Sequence, residues 1–208
     1  IFIAKDSNVK GILSLSDKIK SNSKTTIEEL HKMGIETYML TGDNESTALN
    51  VAKEVGIDNV KAGVLPETKL ETVKQIQANN TKKVLFVGDG INDAPALTQA
   101  DIGVAMGNGT DIAMESGDIV VMEGNLENVV ASIQFSKKVL RRIKENIFWA
   151  FAYNSILIPI AAGILYPTFG ITFNPALAGL AMAMSSVTVI TLSLMLKRYV
   201  PDIKRKSN

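Results

Sequence analysis

The chain has 208 residues, a net charge of +1 at neutral pH, no cysteine and a single histidine. Its length allows one or two domains, and its charge points to neither a nucleic acid nor an acidic partner. The composition excludes disulfides, thiolate metal sites and clusters of several histidines within these residues.

Up to about residue 146, short apolar strands alternate with helical segments. Strands are predicted at residues 11–15, 36–40, near 60, 83–87, 102–106 and 119–122, and helices at residues 24–33, 45–55 and 67–77. Thr25 and Glu28 have capping-box spacing, Pro66 suits a first helical position, and Gly34 and Gly56 end helices. The alternation predicts an α/β fold with a parallel sheet, whose functional sites lie at the carboxyl ends of the strands.

Two motifs follow predicted strands, T-G-D at residues 41–43 and G-D-G-I-N-D-A-P at residues 88–95, and Lys69 lies near the start of the helix between them. Gly88 and Gly90 permit close backbone approach. A hydroxyl, a cation and carboxylates at one sheet edge suit a phosphate and Mg²⁺ site. Taken singly, T-G-D is also compatible with a capped turn and Lys69 with a solvated helix residue.

Together, the segments M-L-T-G-D-N, L-P-E-T-K and V-G-D-G-I-N-D-A-P-A-L resemble the phosphorylation domain of P-type ATPases, which has a haloacid-dehalogenase-like fold. The resemblance implies ATP and Mg²⁺ as cofactors. It implies the catalytic residues Thr41, Gly42, Asp43, Lys69, Asn92 and Asp93, and the Mg²⁺ and cofactor-binding residues Asp89 and Asp93.

The resemblance also implies a role for each of these residues. Thr41 contacts the phosphoryl group, Asp43 lies beside nucleotide or phosphate, Lys69 neutralises phosphoryl charge, Asp89 binds Mg²⁺, and Asn92 and Asp93 support phosphate and metal. Asp17 resembles the acid of the family's D-x-x-[KR]-P segment, but Lys20 is followed by Ser21 where the family has proline.

The family's phosphoacceptor motif, D-K-T-G-T, does not occur in this sequence. In the family it lies upstream, before the nucleotide-binding domain. We therefore expect a fragment that corresponds to the C-terminal part of a pump and does not hydrolyse ATP by itself. A non-catalytic membrane remnant is the alternative, and a free-standing phosphatase is disfavoured by the missing nucleophile.

Residues 147–196 contain no Asp, Glu, Lys or Arg. Residues 147–166 and 176–196 are each long enough to span roughly 30 Å of hydrocarbon. Basic residues precede the first span and follow the second, so the positive-inside rule predicts a membrane hairpin with both ends cytoplasmic. We expect an integral membrane protein in contact with lipid, in the plasma membrane, with its catalytic domain in the cytoplasm; the alternative is a soluble helical hairpin.

The predicted organisation has four parts: residues 1–128, the C-terminal part of the phosphorylation domain; 129–146, a basic connecting helix; 147–196, a transmembrane hairpin; and 197–208, a basic cytoplasmic tail. No flexible linker separates the connecting helix from the first span. Residues 126–145 are therefore expected to continue as helix into the membrane, a connection that could carry motion from the phosphate site.

Inside the spans, Met182 and Ser186 are four residues apart and share a helix face. A thioether favours Cu(I), and the spans offer no carboxylate or lysine to balance Zn²⁺ or Ca²⁺. Each polar residue alone is also compatible with packing or with bonding to its own helix. Met184 lies about 200° around the helix from Met182 and is the poorer candidate.

As a set, these spans resemble the last two helices of copper(I)-transporting P1B-type ATPases. The resemblance implies Tyr153, Asn154, Met182 and Ser186 as ligands of transported Cu(I). It implies the remaining domains of the same pump and a copper chaperone as partners. Ag(I), Zn(II) and Cu(II) remain alternative cargoes; Ag(I) is equally soft, whereas Cu(II) prefers the imidazole ligands that these spans lack.

Overall fold

The computed structural model describes residues 2–5, 8–12, 18–79, 82–89, 91–107, 115–170 and 174–207. The chain divides into two compact units, Ile1–Asn128 and Val129–Asn208. Asp17 and Gly90, which the sequence analysis singled out, lie outside the described residues.

The first unit is an α/β structure. Its strands are β1 Phe2–Lys5, β2 Asn8–Ile12, β3 Tyr38–Leu40, β4 Asn59–Lys61, β5 Leu85–Gly88, β6 Ile102–Met106 and β7 Ile119–Val121. Its helices are α1 Ser23–Lys32, α2 Glu45–Val55, α3 Pro66–Asn79 and α4 Ala94–Gln99, with 3-10 turns at Ile91–Asp93 and Met122–Gly124.

Parallel pairing dominates this unit, as predicted. β6 lies between β5 and β7, with Leu85 opposite Ile102 and Val104 opposite Ile119. β3 and β4 form a second parallel pair. Residues 11 and 12 of the strand predicted at 11–15 belong to β2, which pairs antiparallel with β1, and residues 13–15 lie outside the described residues.

The helix predicted at residues 45–55 is α2, and the helix predicted at residues 24–33 is α1, displaced by one residue at each end and ending before Gly34 as expected. Asn44 caps α2 by accepting a hydrogen bond from the Thr47 N–H at 2.9 Å, and Gly56 ends it with φ 86°. The predicted capping box at Thr25 was wrong, because α1 already begins at Ser23, after Asn22.

The packing of α4 against the three-stranded sheet brings that helix to the carboxyl end of β5. Leu97 and Ala105 are fully buried, and Phe86 packs against them. A Cβ at Gly103 would lie 2.6 Å from the Leu97 carbonyl oxygen, so only glycine permits this approach. The residues that precede α4 are thereby held beside the end of β5.

The second unit is helical: it contains α5 Glu127–Ala161 from residue 129 onwards, α6 Tyr166–Phe169, α7 Pro175–Leu194, a 3-10 turn at Met195–Arg198 and α8 Asp202–Ser207. The basic segment and the first apolar segment lie on one helix, α5, as predicted. The predicted first span to residue 166 is not one helix, because α5 ends at Ala161 and Gly163 adopts φ 88°. Among the described residues, one helical segment, Gly179–Arg198, has the length and composition to cross a membrane.

Candidate functional site

The turn after β5 depends on Gly88. A Cβ at this position would lie 2.6 Å from the Cβ of Asp93 and 2.9 Å from its carboxyl carbon. Glycine therefore lets the chain fold back so that Asp93, 7% exposed, lies directly against the end of the strand. The Asp89 N–H points at the same carboxylate, 3.3 Å from Asp93 Oδ2.

Lys69, on the first turns of α3, completes this arrangement. Its Nζ lies 2.7 Å from Asp93 Oδ1, and the two side chains are 18% and 10% exposed. Partial burial makes this ion pair stronger than a surface pair and fixes both groups. An ammonium has three donors, so Lys69 keeps capacity to bind further oxygens. Lys69, Asp89 and Asp93 thus form one cluster.

Thr41 and Asp43 form a second cluster after β3. The Thr41 hydroxyl donates to Asp43 Oδ2 at 2.9 Å, and the Asp43 N–H donates back to Thr41 Oγ1 at 3.1 Å. Gly42 lies between them, and a Cβ there would have room, 3.8 Å from the Val64 carbonyl oxygen. The loop is exposed, and its hydroxyl is oriented by the adjacent carboxylate.

Backbone hydrogen bonds tie the second cluster to the segment that leads into α3. The Val64 N–H donates to the Thr41 carbonyl, and the Gly63 N–H donates to the Asp43 carbonyl, each at 2.9 Å. Gly63 and Val64 were not identified as site residues from the sequence. The glycine shortly before L-P-E-T-K could have indicated a turn in the sequence. In the structure Gly63 adopts a φ of 65°.

Asp89 and Asn92 are exposed polar residues of the G-D-G-I-N-D-A-P segment. Within the described ranges, the Asp89 carboxylate has no hydrogen-bond or ion-pair partner, and no group of three or more His, Cys, Asp or Glu side chains could hold a metal. A free carboxylate and an amide oxygen are the hard ligands that Mg²⁺ takes, alongside phosphate oxygens and water.

Two of the predicted metal ligands in the second unit, Asn154 and Ser186, make hydrogen bonds to carbonyl groups of their own helices. Asn154 Nδ2 donates to the Ala150 carbonyl at 2.9 Å. Ser186 Oγ donates to the Met182 carbonyl at 3.3 Å, and the Met182 side chain is 66% exposed. These hydrogen bonds do not join the predicted ligands of α5 to those of α7.

Two polar contacts that the sequence analysis did not anticipate join α5 to α7. Tyr153 OH lies 3.4 Å from Thr188 Oγ1, and Asn146 Nδ2 donates to Ser193 Oγ at 2.9 Å. Tyr153 and Asn146 are seven residues apart, so they lie on the same face of α5.

A family model for haloacid dehalogenase-like hydrolases matches residues 2–101. The chain is 54% identical over 205 residues to a protein named probable copper-exporting P-type ATPase, from Archaeoglobus fulgidus. It is 49% identical over 201 residues to copper-transporting ATPase 1 of Rhizobium meliloti. These alignments cover 99% and 97% of this chain but 25% and 24% of the relatives, so the chain spans about a quarter of their length.

The fold is also similar to that of a solved zinc-transporting PIB-type ATPase in the E2.Pi state. The TM-score is 0.80 and the identity 34%, and the match covers 94% of this chain and 31% of the other.

Proposed function

We infer that this chain belongs to the P-type ATPase family, and from that premise we propose that it forms part of an ATP-driven pump that exports Cu(I) through an aspartyl-phosphate cycle. The observation that carries the proposal is the Lys69–Asp93 ion pair at the carboxyl end of β5. It supplies a fixed cation where an α/β fold of this kind binds its ligand. The copper-related names of the two relatives support copper as the cargo.

In this proposal Lys69 binds phosphoryl oxygens with the donors that Asp93 leaves free. Its charge stabilises the negative charge on those oxygens during transfer. The Thr41 hydroxyl contacts the same group, and Asp43 orients that hydroxyl. Gly42 keeps the loop free of a side chain. The attacking aspartate is contributed from outside these residues, which contain no D-K-T-G-T motif.

Asp89 is the residue that fits Mg²⁺ best. Its carboxylate is exposed and free of partners in the described part of the chain, whereas Asp93 is engaged by Lys69. When bound, Mg²⁺ would neutralise phosphate charge and orient its oxygens. Asp93 then acts on the phosphate chiefly by positioning Lys69, and Asn92 supplies an amide beside it.

The membrane part of the proposal rests on the charge-free stretch of α5 and on α7. We place the protein in the plasma membrane with Ile1–Asn128 in the cytoplasm, because the flanking charges are basic. Tyr153, Asn154, Met182 and Ser186 are the proposed ligands of Cu(I). The side-chain hydrogen bonds of Asn154 and Ser186 go to carbonyls of their own helices and can be exchanged for a metal without breaking an ion pair.

Zn(II) is the second candidate cargo, and the similarity to a zinc-transporting pump supports it. The absence of any carboxylate or lysine between residues 147 and 196 disfavours it, because a divalent cargo then lacks charge balance in the membrane.

The test is ATP hydrolysis by the full-length protein in lipid, with Cu(I), Ag(I), Zn(II) or no metal. We expect stimulation by Cu(I) and Ag(I) only. Asp89→Asn should lose activity and should show a weakened dependence on Mg²⁺ concentration. The matched control is Glu71→Gln, an exposed acid on α3 that pairs with Lys74, which should behave as the parent.

Stimulation by Zn(II) alone would overturn the copper assignment and leave the pump assignment intact. Full activity in Asp89→Asn would overturn the magnesium assignment. No ATP hydrolysis with any metal would overturn the pump assignment itself.

A further inference from the structure

The chain that follows α7 returns along α5. The Ile203 N–H donates to Gln134 Oε1 at 3.2 Å. The Tyr199 ring stacks on Phe135 with ring centroids 6.3 Å apart, and Lys138 Nζ lies 5.7 Å from the Tyr199 centroid. An amide, an aromatic ring and an ammonium group on one short stretch of α5 therefore contact the chain after α7.

Residues 199–203, which we call the returning segment, include a fully buried side chain. Ile203 is 1% exposed. In the described part of Val129–Asn208, the other buried apolar side chains are Val129 and Val130, near the start of α5. Burial of apolar surface is the main favourable contribution to packing, so the returning segment has a fixed position.

The contacts of the returning segment continue a series that begins inside the charge-free stretch. Along this series the residue numbers on α5 fall as those of their partners rise, in the pairs Tyr153–Thr188, Asn146–Ser193, Lys138–Tyr199 and Gln134–Ile203. Steps of seven, eight and four residues keep the α5 members on one side of the helix. α7 and the returning segment thus follow a single side of α5 from residue 153 back to residue 134.

A short, hydrogen-bonded connection joins α7 to the returning segment. The 3-10 turn Met195–Arg198 follows α7 directly, and the Tyr199 N–H donates to the Leu196 carbonyl at 3.0 Å. Pro201 restricts the backbone within the segment. A displacement of the returning segment is therefore passed on to α7.

The contact nearest the proposed metal ligands is the weakest of the series. Tyr153 OH and Thr188 Oγ1 are 3.4 Å apart, and Thr188 Oγ1 also donates to the Met184 carbonyl at 2.8 Å. A long hydrogen bond of this kind contributes little. The position of α7 along α5 is therefore set mainly from the C-terminal end of α7, where the returning segment packs.

We propose that Tyr199 and Ile203 are positioning residues for transport. They hold the end of α7 on α5, so that α7 and its proposed ligands Met182 and Ser186 move together with α5. The inference rests on the proposed pump but not on the identity of its cargo. It gives the returning segment a role in coupling, although it contacts neither metal nor phosphate.

The test is the number of metal ions transported per ATP hydrolysed by the full-length protein in sealed vesicles. The metal is Cu(I), or Zn(II) if only Zn(II) stimulates the parent. Ile203→Ala and Tyr199→Ala should each lower this ratio by at least about twofold, because α5 can then move without α7. Loss of folded protein lowers transport and hydrolysis equally, so a purely structural role would leave the ratio unchanged.

Val200→Ala is the matched control, since Val200 lies in the returning segment and is 44% exposed. It should keep the ratio of the parent. Tyr199→Phe retains the ring that contacts Phe135 and Lys138 and should keep it too. If Ile203→Ala does not fold, the comparison of Tyr199→Ala with Tyr199→Phe decides.

An unchanged ratio in the alanine variants of positions 199 and 203 would overturn the inference while leaving the pump intact. An equal loss in Val200→Ala would overturn it as well, because the effect would then not depend on the packed side chains. A parent protein that neither hydrolyses ATP nor transports metal would overturn the proposed pump, and the coupling role with it.

Discussion

The two units hold their chemically important side chains in different ways. In Ile1–Asn128, Asp93 is buried, pairs with Lys69 and lies against Gly88. In Val129–Asn208, Asn154 and Ser186 make hydrogen bonds to their own helices. A phosphate site, as proposed for the first unit, must keep its charges fixed, whereas ligands of a transported ion, as proposed for the second, must bind and release. We therefore expect substitutions in the first group to reduce both stability and activity, and those in the second to reduce activity alone.

The strongest test of this contrast is Gly88→Val. The new Cβ would overlap Asp93, and the resulting overpacking should lower the free energy of unfolding by about 1–3 kcal/mol. ATP hydrolysis by the full-length protein should be lost. Thermal unfolding and activity would be measured together, with Gly42→Ala as the stability control, because its Cβ has 3.8 Å of space. An unchanged melting temperature in Gly88→Val would contradict the close packing.

Lys69→Met should reduce ATP hydrolysis by about 100-fold or more, since it removes the cation that we propose stabilises phosphoryl charge. It should also cost about 1–3 kcal/mol of stability, because the Asp93 carboxylate is left buried and unpaired. Lys74→Met is the control: Lys74 lies on the same helix and pairs with Glu71 at the surface. The contrast between the units fails if Lys69→Met changes activity without changing the melting temperature.

Met182→Ala tests the second unit. Cu(I)-stimulated hydrolysis should fall by at least about tenfold, as for a disturbed metal site, while the melting temperature stays the same, because the side chain is largely exposed. Met184→Ala, on another face of α7, should keep its Cu(I) response. Equal losses in the two variants would show that neither methionine is a specific ligand.

The smallest effect concerns Asp101, which holds the residues before β5. Hydrogen bonds from Lys83, the Val84 N–H and Gln77 lower the pKa of Asp101 from 3.8 to about 2. A carboxyl with a lowered pKa in the folded state stabilises it above the unfolded value, and this contribution is lost as the pH falls from about 4 towards 2. Asp101→Asn should weaken that pH dependence, measured by hydrogen exchange of the β5 peptide in the full-length protein. If parent and variant depend equally on pH, Asp101 does not anchor β5.

Local chemistry explains which elements could be predicted from sequence. α2 and β6 were predicted with their observed bounds. In α2, Asn44 and Gly56 satisfy the helix ends, and in β6 a continuous apolar run is typical of a central parallel strand. β1 and its antiparallel pairing with β2 were not predicted, because strand pairing depends on contacts between segments and not on one segment's pattern. The end of α5 at Ala161 was missed because residues 147–166 remain uncharged beyond it.

From the sequence the candidate site could be named as a list of residues, but the arrangement of those residues could not be predicted. The spacing of Asp89 and Asp93 suggested two similar carboxylates. The structure distinguishes them, because Asp93 is enclosed by Gly88 and Lys69 whereas the Asp89 side chain is exposed and has no partner among the described residues. That difference arises from the fold of the turn and from the approach of α3, neither of which is encoded in the motif alone.

The overlap at Gly88 also constrains evolution. A side chain at position 88 is compatible with the observed turn only if the residue at position 93 is smaller than aspartate. Such a residue could not form the ion pair with Lys69. Positions 88, 93 and 69 should therefore change together or not at all in related sequences. A homologue with alanine or serine at position 88 and an intact aspartate and lysine at the other two would require a differently folded turn.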